Sequence, residues 1–268
     1  MLYIKQYGCK RTGTNYLRAL LERNFSDIIV LMHTLGGKHE HPVDLVKFLN
    51  DYPNDPIEFV AMATQAHPAE STEPFDDEQM EFIRKNAAGI ADAVLNNRIH
   101  YLIAIKNPYS WINSNKDPHS WINCNYKDIL ESHGGYTDKS RTELLIKLKS
   151  KEFNSIYSSY RELATRFPEQ TTVVRYEDVL SDHTQFLNQF AERLKLTTRS
   201  SSYTDISGKA LPTGWDQQIT PESKNDKFLK NYYLEEQYFA DLPSNLIEIL
   251  EAEIDWQLMK SYGYFKQS

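Results

Sequence analysis

The run from Leu2 to Leu21, LYIKQYGCKRTGTNYLRALL, constrains the fold more than any other part of the chain. A short apolar strand leads into a turn holding Gly8 and Gly13, and the turn leads into an amphipathic helix. Strand, glycine loop and helix in succession present backbone N–H groups and the positive end of a helix dipole to an anion. The two glycines have the G-x-x-x-x-G spacing of a nucleotide-binding loop. Thr14 and Asn15 stand where that loop has Lys and Ser/Thr. The pattern therefore predicts a phosphate cradle without the hydroxyl that holds magnesium, its positive charge placed inside the loop at Lys10 and Arg11.

Further along, apolar runs and helical periodicities alternate. Asp27 to Met32 reads as a strand, and it empties into the polar loop His33 to Pro42. A short helix within 43–56, an ambiguous segment from Ile57 to Thr64 and an exposed loop or lid from Gln65 to Asp77 follow. Met80, Ile83, Ala87, Ile90 and Val94 mark a helix from about Asp77 to Asn96, and Arg98 to Ile105 is a strand. A stripe through Leu144, Leu148, Phe153, Ile156 and Tyr160 predicts a helix from Ser140 to Phe167. Thr171 to Tyr176 is a strand, and Ser181 to Leu194 a helix. Thr197 to Asp226 reads as a long polar loop and Pro243 to Met259 as a last helix. Strands alternating with helices predict an α/β fold, a central and mainly parallel sheet flanked by helices. No linker divides the chain, so residues 1–268 read as one domain. The near-repeat of residues 108–115 at 118–125 is too short for a repeat architecture and reads as two helical turns, each burying a Trp-Ile pair.

Composition narrows the partners. A net charge of -7 argues against a general nucleic-acid or membrane-surface binder, so a polyanionic ligand has to be held by a local cationic cluster. Two distant cysteines, Cys9 and Cys124, form neither a disulfide framework nor a zinc motif, which fits a reducing compartment. The chain enters its first strand without a basic and apolar leader and contains no run of 18 apolar residues, so a soluble cytoplasmic protein is expected.

Three blocks carry a family resemblance. Arg11-Thr12-Gly13-Thr14 resembles the 5'-phosphosulfate loop of sulfotransferases that use 3'-phosphoadenosine 5'-phosphosulfate (PAPS). Lys106-Asn107-Pro108, with Ser114 eight residues beyond Lys106, resembles the family's 3'-phosphate block, with Lys where Arg is usual. Val173 to Asp178 resembles the RYED strand of bacterial members and is assigned a structural role, with Glu177 or Asp178 orienting a basic loop residue. The order and spacing of the blocks agree with the family over roughly residues 1–180. The resemblance implies a P-loop-like sulfotransferase fold and a cofactor site of Gly8, Lys10, Arg11, Thr12, Gly13, Thr14, Asn15, Lys106 and Ser114. Lys224 and Lys227 lie where relatives add contacts to the nucleotide; with Lys230 they also have the spacing of a solvated helix face. PAPS would be the co-substrate and adenosine 3',5'-bisphosphate the product. The acceptor would be a small molecule or carbohydrate offering a hydroxyl or amine.

For the acceptor base, His39 is the first choice, because its loop follows the second strand and Lys38 lies beside it. Glu40 and His67 are rivals, and His33, His39, Glu40 and His41 have an alternative reading as a zinc cluster. Arg11, His39 and Lys38 form the expected catalytic set. Tyr109, Tyr136 and Trp215 are candidates for stacking on adenine or a sugar, whereas Trp111 and Trp121 read as core. Two other function classes remain open at this stage: an atypical P-loop kinase or nucleotide hydrolase, and a non-catalytic phosphonucleotide- or glycan-binding protein.

Overall fold

Apolar runs buried on both sides set the centre of the molecule. The structure, a computed structural model, describes all residues except 66–74, 118–125, 133–137, 212–215, 217–219, 221, 228–229 and 268. Strands β1 (Leu2–Tyr7), β2 (Ile28–Leu31), β3 (His100–Ile105) and β4 (Thr171–Arg175) form a four-stranded sheet among the described residues, in the order β2-β1-β3-β4. Every pairing is parallel, with Ile4 opposite Val30 and His100, and Ile103 opposite Val173. All six residues of β3 are buried, as expected of an inner strand covered on both faces.

Side chains alternate along β3 between two cores. Tyr101, Ile103 and Ile105 join helices α2 (Leu45–Asp51), α3 (Pro56–Thr64) and α4 (Asp77–Leu95). The same core takes in α5 (Pro108–Asn113), whereas α6 (Lys127–Ser132) packs against α7 (Asp138–Arg166); α7 joins the core and so, later in the chain, do α11 (Ser244–Glu253) and α12 (Trp256–Ser261). Leu102 and Ala104 face the other core, with α1 (Thr14–Asn24), α8 (Tyr176–Ser181) and α9 (His183–Leu194). The α/β architecture expected from the alternation of elements is the observed one.

Local chemistry explains several boundaries. Asp55 accepts from the amides of Ile57 and Glu58 and Pro56 opens the helix, which resolves the ambiguous 57–64 segment as α3. Asp76 and Gln79 form a reciprocal capping box that starts α4.

Other expectations need correction. Tyr176, Glu177 and Asp178 form the first turn of α8 and do not extend β4. The buried stripe of α7 runs through Leu145, Ile146, Phe153, Ile156, Tyr157 and Tyr160, leaving Leu144 and Leu148 half-buried. The stretch 197–226 is not all loop, because Gly208–Ala210 (β5) and Glu222–Lys227 (β6) pair antiparallel. These are polar strands whose pairing leaves no apolar alternation to read. A short helix α10 (Lys230–Leu234) follows, and a single 3-10 turn at Gln237–Phe239. The last helix is two: Ile254 is extended (φ -76°, ψ 137°) and Asp255 caps α12 by accepting from Leu258. Leu246, Leu250, Ile254 and Leu258 are nevertheless all buried, so the periodicity reports the core-facing side across a break in the helix. The expected amphipathy of α1 is largely lost, because the late segment covers its outer side. The Tyr16 hydroxyl donates to Asp205 at 2.8 Å and the Asn24 amide to the Thr204 carbonyl at 2.9 Å. No helix among the described residues is long and apolar enough to cross a membrane. Residues 66–74 of the 65–77 lid, and the whole second unit of the near-repeat with Trp121, lie outside the described residues.

A buried histidine in β3 makes stability fall in acid. His100 sits beside the Thr172 hydroxyl at 2.8 Å; burial, reinforced by Arg193, lowers its pKa from 6.5 to about 4. The unfolded chain therefore takes up this proton first, and stability is lost as pH falls from about 6.5 towards 4. Urea unfolding of His100→Gln at pH 7 and at pH 4.5 is expected to show a pH-dependent loss smaller than that of the parent by about 2 kcal/mol.

Candidate functional site

At the C-terminal end of β1 the chain turns through Gly8 to Gly13 and enters α1. Arg11 (φ 72°) and Gly13 (φ 81°) are left-handed, a path that costs little at glycine and about 1 kcal/mol at arginine. Thr12 closes the turn on Cys9, with its amide (3.1 Å) and hydroxyl (2.8 Å) both donating to the Cys9 carbonyl. Gly13 is the N-cap of α1 and no side chain caps the helix, so its dipole opens towards the loop. A β-carbon on Gly8 would lie 2.6 Å from the Thr12 hydroxyl and 3.0 Å from the Ala104 carbonyl; one on Gly13 would lie 2.1 Å from the Tyr176 ring. Both glycines are thus required by close approach, and Gly13 by conformation as well.

Distant segments hold the loop from several sides. The Gly8 N–H donates to the Lys38 carbonyl at 2.8 Å and to the Tyr160 hydroxyl at 3.1 Å. The Gly8 carbonyl lies 2.7 Å from His39 Nδ1. An acceptor at that distance requires Nδ1 to carry the proton, which leaves the Nε2 lone pair bare. Burial, with Lys38 adding to it, lowers the His39 pKa to about 3, so the half-buried imidazole is neutral around pH 7. The Lys38 ammonium donates to Asn15 Oδ1 at 2.7 Å. Trp111 Nε1, from α5, donates to the Lys10 carbonyl at 2.9 Å.

Lys106 completes the group. It leaves the end of β3, is 1% exposed, and its Nζ donates to the Arg11 carbonyl at 3.2 Å. The rings of Tyr233 and Tyr176 lie 4.5 and 5.6 Å from the ammonium. Burial lowers its pKa to about 7 against the pull of Glu177. Glu177 also accepts from the Asn107 amide at 3.0 Å and from the Tyr264 hydroxyl, so it fixes the strand end that carries Lys106. In α7, Lys149 is buried beside Glu152 at 3.4 Å. Its pKa is lowered, chiefly by burial with Lys10 contributing, which adds a cation next to the loop. A chain of net charge -7 thus gathers Lys10, Arg11, Lys38, Lys106 and Lys149 around one turn.

Gly8, Lys10, Arg11, Thr12, Gly13, Thr14, Asn15, Lys38, His39 and Lys106 therefore converge, the Arg11 side chain exposed and its carbonyl turned inward. Ser114 sits at the C-cap of α5, its hydroxyl donating to the Ser110 carbonyl at 3.1 Å. Glu40 lies against Gly37, where a β-carbon would meet its carboxylate at 2.9 Å. His67, Tyr136 and Trp215 lie outside the described residues, as do the side chains of Lys224 and Lys227 in β6. Lys230 is in α10 and pairs with Asp205 at 3.2 Å, so strand and helix divide the three lysines. Tyr109 is corrected: it is 1% exposed between Phe239 and Trp256, with its hydroxyl on Glu251, and cannot stack on a ligand. Trp111 is core as expected, but its indole N–H also fixes the loop. The zinc alternative does not assemble, since no three His, Cys, Asp or Glu side chains among the described residues form a metal-holding group. The sequence reading places Tyr160 in a helix stripe and Tyr176 at a strand end but gives neither a part at the loop, and Tyr157 and Tyr233 are hinted at only by the high tyrosine content.

No protein-family model and no curated sequence matches the chain. Among solved structures it aligns with a sulfotransferase domain from the curacin biosynthetic pathway, at 16% identity and a TM-score of 0.45, over 100% of this chain and 98% of that one.

Substitution at the tightest point of the loop has a defined outcome. Gly13→Ala combines left-handed backbone with a clash against Tyr176, and is expected to destabilise the protein by about 2 kcal/mol or more, read as a lower urea midpoint.

Proposed function

We propose that the chain is a PAPS-dependent sulfotransferase that moves a sulfuryl group to a hydroxyl or amine of a small-molecule or carbohydrate acceptor. The observation that carries this reading is the contact between Lys106 and the Arg11 carbonyl: two anion-gripping segments 95 residues apart meet at one point. A nucleotide bearing a phosphate at each end of its ribose uses two such grips. The position where a kinase needs a magnesium-binding hydroxyl holds Asn15, whose oxygen is engaged by Lys38, and this favours transfer without that metal.

In the proposed reaction the amides at the start of α1 and the Arg11 guanidinium hold the 5'-phosphosulfate, and Lys106 holds the 3'-phosphate. The acceptor oxygen or nitrogen forms a bond to sulfur as the bond from sulfur to the 5'-phosphate oxygen breaks. The electron pair leaves with that oxygen, and Arg11 stabilises its growing charge. His39 takes the acceptor proton at Nε2; a bound polyanion raises its affinity for that proton. Lys38 holds Asn15 and the loop in register for this step.

Adenosine 3',5'-bisphosphate at a hundred times its Kd is expected to stabilise the protein by about 2.7 kcal/mol in a thermal-shift assay, whereas stabilisation by ATP with magnesium alone overturns the reading. Arg11→Ala is expected to lower PAPS turnover about a hundredfold while changing bisphosphate affinity less than about tenfold, measured by kinetics and calorimetry. Lys106 has a pKa of about 7 when no phosphate is bound, so binding a phosphate takes up a proton. Bisphosphate affinity is therefore expected to weaken as pH rises from about 6.5 to about 8.5, and to do so much less in Lys106→Arg, whose guanidinium stays charged.

A further inference from the structure

Behind His39 lies a turn whose shape depends on two charges outside the loop. Segment 32–36 carries left-handed backbone at Leu35 (φ 65°) and Gly36 (φ 90°), an uncommon conformation for leucine. Its carbonyls converge on Lys5, in the middle of β1 and 0% exposed. Nζ donates to Met32 O at 3.3 Å, to Thr34 O at 3.0 Å and to Gly36 O. Its amides converge on Asp216, 4% exposed. Met32 N (2.8 Å) and His33 N (3.2 Å) donate to Oδ1, and Thr34 N (2.9 Å) donates to Oδ2. The next amide, Leu35 N, donates to the Thr64 hydroxyl at 3.1 Å.

Three donor bonds use all three ammonium protons of Lys5, so the geometry calls for the charged form. A buried ammonium without compensation costs several kcal/mol, and here carbonyl dipoles and the Asp216 carboxylate oppose that cost. Their effect on the anion loop runs through the segment that continues into Gly37, Lys38 and His39. That segment ends with the Lys38 carbonyl on Gly8 N–H and His39 Nδ1 on Gly8 O.

We propose that Lys5 and Asp216 act as a pair of positioning residues, a clamp that fixes segment 32–36 and thereby sets Lys38 and His39 against the Gly8 end of the anion loop. Their role in transfer rests on the sulfotransferase reading; the clamp itself does not. Lys5→Met and Asp216→Asn each remove one half. Amide hydrogen exchange at Met32, His33 and Thr34 is expected to accelerate about tenfold in each, with β3 amides as slow as in the parent. The nitrogen-15 signals of the His39 ring are expected to lose the preference for a proton on Nδ1, while those of His100 stay unchanged. Bisphosphate affinity is expected to fall about fivefold, the loop being less well ordered before binding. Asp216→Glu, which keeps the carboxylate but displaces it, is expected to give smaller changes at the same positions, and carries the test if the other variants fail to fold. Uniformly faster exchange across the sheet, or unchanged His39 signals in a folded variant, overturns the clamp. A parent protein that does not bind the bisphosphate overturns the sulfotransferase reading instead, and leaves the exchange and His39 measurements to decide the clamp.

Discussion

Gly8 commits both of its backbone groups to other segments, and the arrangement of the site depends on that. Its N–H is shared by the Lys38 carbonyl and the Tyr160 hydroxyl, and its C=O faces His39 Nδ1. Buried peptide groups have to be paired, so at the end of a central strand these bonds fix the approach of the β2 loop and of α7 together. The absence of a side chain on Gly8 makes this approach sterically feasible, since a β-carbon would strike Thr12, Thr14 and the Ala104 carbonyl. The loop after β1 is therefore shaped by its neighbours as much as by its own residues.

Charge follows the same logic. An ammonium is strongly hydrated in water, and its burial is tolerated only with directed partners. Lys106 is held by the Arg11 carbonyl, two tyrosine faces and the nearby carboxylate of Glu177. Lys5 has three carbonyls and the field of Asp216. Both sit with pKa values of about 7, far below that of a free lysine, because burial outweighs their partners. The same low-dielectric surroundings would strengthen the attraction of Lys106 for any anion brought beside it.

Much of the frame was legible from local pattern. The apolar strand of Leu2–Tyr7, the buried run of His100–Ile105 and the capped helix at Asp77 each announce themselves over a few residues. Elements stabilised from a distance were not legible: β5 and β6 pair a Gly-Lys-Ala segment with a polar one, and the break at Ile254 leaves the apolar period of the last helices intact. In the site, the positions of Lys106 and His39 were readable because both follow strands of a parallel sheet, whose C-terminal ends gather on one edge. The sealing of Tyr109 by Phe239 and Trp256 was not, because side chains over 100 residues away close that pocket.

By itself the sequence determined the strand, glycine loop and helix, the alternation that makes a parallel sheet, and the need for a local cationic cluster in an acidic chain, because propensity, periodicity and net charge are properties of neighbouring residues or of their sum. Tertiary structure alone decided which cations meet, how His39 is held neutral with a bare Nε2, and that Lys5 and Asp216 hold the turn behind it. Desolvation and hydrogen-bond geometry exist only once distant segments are packed together, and they leave no trace in the order of the residues.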